Sequence, residues 1–156
     1  MPRPDATAAR WARGTTTTSW GRLATAAALA LSLLLAACGS TGRYVVLGSA
    51  RAPSASGIIE VDDLDGGSTL VTIHLEHLHP PDRLNDDLKS YVVWFQGKGG
   101  SPIRAGQLAY DPEARTGDLS ETAPLRQFRV TVTAERAQNP AQPSDFVIAS
   151  HEISLD

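Results

Sequence analysis

Residues 127–135 read Gln-Phe-Arg-Val-Thr-Val-Thr-Ala-Glu, and this stretch decides the fold class. Its apolar members, Phe128, Val130, Val132 and Ala134, alternate with polar residues, which is the period of a β-strand that buries one face. An amphipathic helix would instead place apolar residues three and four positions apart. We therefore predict a half-buried strand here.

Outward from this strand, other stretches have the same character. Val71, Ile73 and Leu75 alternate with polar residues, and residues 91–95 are apolar throughout, so that 90–96 is predicted to be a central strand covered on both faces. Weaker candidates are residues 44–47, 58–62, 104–110, 118–122 and 145–155.

The breaks between these stretches carry turn residues. Asp-Gly-Gly at 65–67 suits a tight hairpin, and residues 97–102 suit a looser one. Pro80 and Pro81 require extended backbone before them, and residues 81–88 are expected to form a loop with at most one helical turn. Short strands at this spacing predict an all-β fold, a seven- to eight-stranded immunoglobulin-like antiparallel β-sandwich.

The N-terminal part has a different composition. Residues 23–37 carry no charge and follow a basic, Thr-rich stretch, which is the pattern of a signal peptide. As a helix they would span roughly 22 Å, less than the approximately 30 Å hydrocarbon core of a bilayer. We therefore expect residues 1–37 to be a cleaved leader rather than a membrane span.

The apolar segment ends in Leu-Ala-Ala-Cys at 35–38, followed by Gly39, and this motif resembles the lipobox of bacterial lipoproteins. The resemblance implies cleavage before Cys38, a diacylglycerol on its thiol and an acyl chain such as palmitate on its freed amine. Several chains would give lasting membrane attachment. In two-membrane hosts an Asp at the position of Gly39 resembles an inner-membrane retention signal, so its absence favours the outer membrane.

The exported part is expected to consist of a lipidated Cys38 with a short tether, residues 38–43, and a β-sandwich domain, residues 44–156. It contains 10 of the 14 basic and 16 of the 17 acidic residues, which gives it a formal charge of −6. Binding to nucleic acid or to anionic lipid needs the opposite surplus, so neither is expected as a partner. The single cysteine excludes an intrachain disulfide.

Part of the domain resembles the extracytoplasmic β-sandwich of anti-sigma-K factors. The similar features are Tyr-Val-Val-Trp at 91–94, Gly-Gln-Leu at 106–108 and Val-Thr-Val-Thr-Ala-Glu at 130–135. With His-Leu-His-Pro-Pro at 77–81, the chain is also similar to a group of bacterial lipoproteins without an assigned function. No segment before residue 23 is long enough for a sigma-binding domain, so sigma binding is not expected, and a sandwich alone implies no activity.

The segment 74–79, His-Leu-Glu-His-Leu-His, contains the candidate metal ligands. On a strand, His74 and Glu76 would share one face, and His77 and His79 would share the other. Zinc or copper needs three or four converging donors, so a distant residue such as His151 would have to complete the site. The favoured interpretation is a solvated strand end, in which His77 helps to hold the proline turn and no metal is bound.

Two other candidates have simpler interpretations. His151 is in phase with apolar residues of its strand, which favours a partly buried, hydrogen-bonded ring. Asp62, Asp63 and Asp65 precede Gly66 as in a calcium loop, but no bidentate acid follows at the twelfth position. A solvated acidic turn is therefore favoured.

Enzymatic chemistry has no clear candidate in the sequence. No Ser lies in a Gly-x-Ser-x-Gly elbow, and the only thiol is the one expected to carry lipid. The glycines at 97, 99 and 100 lack the Lys of a phosphate loop. Tyr91, Trp94 and Phe95 could form a stacking platform, but core packing is favoured. We expect neither catalysis nor a cofactor.

The leading hypothesis is a lipid-anchored protein of the cell envelope, facing the periplasm in two-membrane hosts. It would act without catalysis, through contacts with an envelope protein partner, at an exposed edge strand or at the 97–102 hairpin. The alternative is a metal or small-ligand binding module that uses residues 74–79.

Overall fold

The computed structural model describes residues 41–64 and 66–155. The expected signal peptide, 1–37, and Cys38 lie outside the described residues, as does Asp65. In the described part, the strands are β1 (Thr41–Leu47), β2 (Ser56–Leu64), β3 (Ser68–Glu76), β4 (Ser90–Gly97), β5 (Ile103–Gln107), β6 (Ala109–Asp111), β7 (Thr116–Ala123), β8 (Gln127–Glu135) and β9 (Val147–Ser154), and one helical turn, α1, covers Pro81–Leu84.

The strands form two sheets in which every neighbouring pair is antiparallel. The first sheet has the order β1-β2-β3-β7-β6, and the second has the order β5-β4-β8-β9. Buried apolar residues from both sheets form one core cluster. The predicted all-β antiparallel sandwich is confirmed, with nine strands in the described residues rather than seven or eight.

The additional strand arises where the chain changes sheets. Residues 104–110 were expected to form one strand, but β5 pairs with β4 in the second sheet and β6 pairs with β7 in the first. Leu108 lies between them, is buried, and donates its N–H to the carbonyl of Tyr91 at 2.9 Å. Strands that pass from one sheet to the other form the corners of sandwiches, and alternation of apolar residues does not reveal the corner.

Strand β8 has the predicted bounds and the predicted inner face. Phe128, Val130, Val132 and Ala134 are all at most 2% exposed and belong to the core cluster. Burial of four apolar side chains on one strand supplies on the order of 1.5–3 kcal/mol for each of the larger ones. The outer face of β8 departs from the prediction at its C-terminal end, where Glu135 is also buried.

Strand β4 is central and is buried on both faces, as predicted. Its residues 90–95 are all buried. Tyr91, Val93 and Phe95 belong to the core cluster between the sheets. Because successive side chains alternate, Trp94 points to the opposite, outer face of the second sheet, yet it is only 1% exposed.

The hairpin turns use glycines in conformations that other residues rarely adopt. Gly66 and Gly67, with φ values of 90° and 81°, lie between β2 and β3, and Gly99, with φ of 71°, lies between β4 and β5. Both predicted hairpins are therefore present. Strand β1 begins at Thr41, three residues earlier than the predicted strand, because the pairing with β2 extends to Asp62.

Candidate functional site

The histidine-rich segment 74–79 spans the end of β3 and the loop after it. His74 and Glu76 lie on the outer face of the first sheet, as alternation predicts. β3 ends at Glu76, and His77 has φ of 59°, in the left-handed region that few non-glycine residues adopt. The prediction that His77 and His79 share the opposite face of the strand is therefore wrong, because neither belongs to the strand.

The side chain of Arg115, the last residue before β7, donates hydrogen bonds to main-chain oxygens of this loop. Its Nε donates to the carbonyl of Leu78 at 3.1 Å, and its Nη2 donates to the carbonyl of His77 at 3.2 Å. The N–H of Leu78 donates in return to the carbonyl of Arg115 at 2.9 Å. The loop is thereby tied to the start of β7.

The rings of His77 and His79 have structural partners. Nδ1 of His77 lies 3.2 Å from the hydroxyl of Ser56. Nδ1 of His79 lies 3.4 Å from Nη2 of Arg115, and its Nε2 lies 3.4 Å from the hydroxyl of Ser54. Arginine can only donate, so Nδ1 of His79 accepts, and in the neutral ring the proton is on Nε2. Both rings therefore help to hold the loop that leads to Pro80.

Two tyrosine hydroxyls donate hydrogen bonds to carbonyls of the same loop. The hydroxyl of Tyr91 donates to the carbonyl of His79 at 2.5 Å, and that of Tyr110 donates to the carbonyl of Leu78 at 3.4 Å. Their rings meet edge to face, with centroids 5.5 Å apart. Burial raises the pKa of Tyr91 and of Tyr110 above the ordinary value of 10.0. Both hydroxyls therefore stay protonated and can donate at neutral pH.

On the outer face of the first sheet, His74 lies between two carboxylates. Its Nδ1 is 2.5 Å from Oδ1 of Asp118, and its Nε2 is 3.5 Å from Oε1 of Glu76. The hydrogen bond with Asp118 is the main reason that the pKa of His74 is raised above its ordinary value of 6.5. Desolvation opposes this rise, and Glu76 adds a smaller increase.

Of the predicted metal ligands, His74 and Glu76 lie side by side, 3.5 Å apart, but within residues 41–64 and 66–155 the structure adds no third one to them. His74 is on the sheet face, His77 and His79 are held in the loop, and His151 is on β9. Across residues 41–64 and 66–155, no group of three or more His, Cys, Asp or Glu side chains is placed to hold a metal ion. The described residues thus do not form the three-donor arrangement that zinc or copper would need.

His151 is half-buried, as predicted, and its ring packs against the ring of Tyr44, with centroids 4.9 Å apart. The hydrogen bond that was expected for the ring of His151 is not formed with any residue of 41–64 or 66–155. Tyr44 reaches this position from β1, and its hydroxyl lies 3.4 Å from the carbonyl of Ser154. The ring of His151 therefore contributes to closing the sandwich where β1 meets β9.

The acidic residues at the end of β2 also have protein partners. Asp63 forms an ion pair with Nη2 of Arg126 at 2.5 Å, and Asp62 accepts a hydrogen bond from the hydroxyl of Thr41 at 2.9 Å. Asp65, the third acid of the possible calcium loop, lies outside the described residues. Asp62 and Asp63 therefore link the end of β2 to its neighbours.

The three aromatic residues of β4 are all buried, Tyr91 and Phe95 in the core between the sheets and Trp94 on the outer face of the second sheet. Tyr91, Trp94 and Phe95 are each at most 2% exposed. The predicted core packing is confirmed for Tyr91 and Phe95, while Trp94 is buried outside the core cluster, and the alternative of an exposed stacking platform is wrong.

A chain of hydrogen bonds lies on the outer face of the second sheet, beneath residues 136–146. Nε1 of Trp94 donates to the hydroxyl of Thr133 at 2.8 Å, and that hydroxyl donates to Oε1 of Glu135 at 2.5 Å. The backbone N–H of Ser144 donates to the same oxygen at 2.8 Å. Glu135 is only 4% exposed, so its carboxylate is fixed under the segment that connects β8 to β9.

Sequence reasoning missed this buried carboxylate. The alternation of β8 places Thr133 and Glu135 on the polar face, which predicts contact with solvent. The only sequence signal was the length of the connection 136–146, since a long connection can fold back over the strand that precedes it. One contact between this connection and the second sheet is the hydrogen bond that Nη2 of Arg104 donates to the carbonyl of Gln138, at 3.1 Å.

Comparisons of the chain with protein-family models, with curated proteins and with solved structures find no match. Within residues 41–64 and 66–155, no helix is long and apolar enough to cross a membrane. Function therefore has to rest on the chemistry of the chain's own residues.

The raised pKa of His74 predicts a pH-dependent contribution to stability. A raised folded-state pKa means that the contribution is complete below 6.5 and is lost as the pH rises through the folded-state value. The His74→Gln substitution should therefore cost more stability at about pH 5 than at about pH 9, by less than about 1 kcal/mol because solvent screens an exposed pair. Urea denaturation at the two pH values measures this difference.

Asp118→Asn is the matched control, because its amide oxygen can still accept the hydrogen bond from His74 but lacks the negative charge that favours the protonated ring. It should reduce the pH dependence as His74→Gln does. An equal cost of His74→Gln at both pH values would contradict the assignment.

Proposed function

We propose that this chain is a lipid-anchored protein of the bacterial cell envelope, whose β-sandwich binds another protein rather than catalysing a reaction. The observation that carries the proposal is an edge strand, β1, that exposes large apolar side chains and begins three residues after Cys38.

The anchor rests on the Leu-Ala-Ala-Cys motif at 35–38, which resembles a lipobox. Three residues of chain reach at most about 11 Å, so the Cα of Thr41 would stay within that distance of the Cα of a lipidated Cys38. The start of β1 would then be held close to the membrane surface. A partner bound there would belong to the same membrane or lie directly beside it.

The contact surface rests on β1 itself. Val45 and Leu47 are 71% and 74% exposed on its outer face. Val45 is in register with Ile58 of β2, which is half-buried on the same face. Within its sheet β1 pairs with β2 alone, and directly after β1 the chain turns to β9, where Gly48 forms an antiparallel bridge with Ala149. Large apolar side chains that are exposed side by side on one face of a strand are features of surfaces that bind another protein.

The charge of the exported part favours a protein over other partners. Its formal value of −6 does not attract nucleic acid or anionic lipid. The 97–102 hairpin, the other predicted contact surface, borders a hollow of about 470 Å³. That hollow is lined by polar groups such as Arg129 and Glu152, which already pair at 2.7 Å. β1 is therefore the better surface.

A metal or small-ligand module built on residues 74–79 is the second candidate function, and the geometry supports it less. The ring of His77 contacts Ser56, and the ring of His79 contacts Ser54 and Arg115. These contacts do not direct the two rings towards His74.

The anchor predicts the mass of the protein purified from its native host. Wild-type protein should lack residues 1–37, carry acyl groups on Cys38 and fractionate with membranes, because the lipobox directs both steps. Cys38→Ala should remove the acyl groups, while Ser40→Ala, a matched change in the same segment, should leave them. Intact-mass spectrometry measures both. A wild-type mass that retains the leader or lacks acyl groups would refute the anchor.

The contact surface predicts a site-specific crosslink in the native envelope. A photo-crosslinking residue in place of Val45 should give a discrete adduct, because the side chain lies at the proposed contact. The adduct should disappear when Leu47→Asp is added, since a carboxylate would be desolvated there. The same probe in place of Ser120, exposed on an inner strand of the same sheet, is the control. An adduct that survives Leu47→Asp, or equal adducts from both positions, would contradict the proposal.

A further inference from the structure

A small pocket opens beside the buried carboxylate of Glu135. Its volume is about 160 Å³. The pocket lies between the turn before β4 and the connection from β8 to β9. Its lining includes Leu88, Glu135, Ala137, Pro140, Ser144 and Phe146.

The carboxylate of Glu135 presents one free oxygen. Oε1 accepts hydrogen bonds from Thr133 and Ser144. Oε2 accepts none from residues 41–64 and 66–155, yet it is not among the fully buried side-chain atoms that lack a partner. Oε2 therefore keeps contact with solvent, and the pocket that Glu135 lines is where that contact is available.

This carboxylate also has no ion-pair partner in the described part of the chain. Arg136, a cation that also lines the pocket, pairs with Asp87 instead, and its Nε lies 3.6 Å from that carboxylate. Asp145, another charged residue of the lining, lies 3.4 Å from Arg51. A buried carboxylate without a cation is costly, so the pocket favours a ligand that supplies the positive charge.

The geometry selects among cations. A guanidinium binds a carboxylate best through both oxygens, but Oε1 is already occupied. Divalent metal ions need several donors, and Glu135 offers one oxygen. An ammonium group needs a single acceptor, and it is compact enough for the pocket. Leu88, Pro140 and Phe146 would contact an alkyl stem.

We propose that this pocket binds a primary ammonium group on a short alkyl stem, with Oε2 of Glu135 as its acceptor. Such a group occurs in the lysine side chain of a partner protein and in small free amines. The site is independent of the lipid anchor and of the β1 surface, so it can be tested without either.

The test is a titration of the full chain, in nonionic detergent, with n-butylammonium chloride, followed by ¹H–¹⁵N NMR at constant ionic strength. Saturable shifts should be confined to the amides of residues 85–88 and 135–146. n-Propylguanidinium should bind more weakly, and the neutral isostere 1-butanol should bind at least about tenfold more weakly, because it lacks the charge-assisted hydrogen bond. The absence of a saturable shift, or equal midpoints for n-butylammonium and 1-butanol, would overturn the proposal.

Glu135→Gln supplies the matching variant. Its amide oxygen can still accept from Thr133 and Ser144, while its NH₂ group replaces the acceptor that faces the ligand. The dissociation constant for n-butylammonium should rise by about tenfold or more. Glu113→Gln, an exposed residue with the same charge change, should leave it unchanged. Equal affinity of wild type and Glu135→Gln would also overturn the proposal. The comparison with 1-butanol needs no variant, so it decides the question even if Glu135→Gln does not fold.

A second arm identifies the source of the ammonium group. Nα-acetyl-lysine-N-methylamide presents the lysine side chain without other charges. Affinity equal to or above that of n-butylammonium supports the pocket as a site for a partner's lysine. Affinity at least about tenfold lower, with n-butylammonium binding retained, supports it as a site for a free amine.

Discussion

Strand β4 buries large side chains on both of its faces, and the rest of the structure depends on covering them. On the inner face the first sheet covers Tyr91, Val93 and Phe95. On the outer face Trp94 needs a second cover, which no sheet supplies. The connection 136–146 fills this place. Its length and its hydrogen bonds to the second sheet follow from that requirement.

The connection 136–146 lies over polar side chains of the second sheet, and these buried groups need hydrogen-bond partners. The indole of Trp94, the hydroxyl of Thr133 and the carboxylate of Glu135 form one chain that ends at the backbone of Ser144. Each buried donor in this chain has an acceptor, which avoids the penalty of about 1–3 kcal/mol for an unpaired group. The arrangement uses one oxygen of Glu135, a residue that also lines the small pocket beside it. The structural cover and the proposed ligand pocket therefore share one residue.

The sequence predicted those elements whose environment is set by their own pattern. The bounds of β8, the double burial of β4 and the glycine turns follow from local periodicity and turn chemistry. Features set by distant residues were not predictable. The change of sheet at Leu108 leaves the alternation intact, and the left-handed conformation of His77 depends on Arg115, 38 positions away. The buried state of Glu135 depends on a connection whose path the alternation of β8 does not encode.

The most direct test of this account is the accessibility of Trp94. In the full chain with Trp11→Phe and Trp20→Phe, Trp94 is the only tryptophan, so acrylamide quenching of fluorescence reports on its cover alone. The account predicts little quenching in the native protein and strong quenching after unfolding in urea. Native quenching as strong as that in urea would show that the outer face of β4 is open, and would contradict the account.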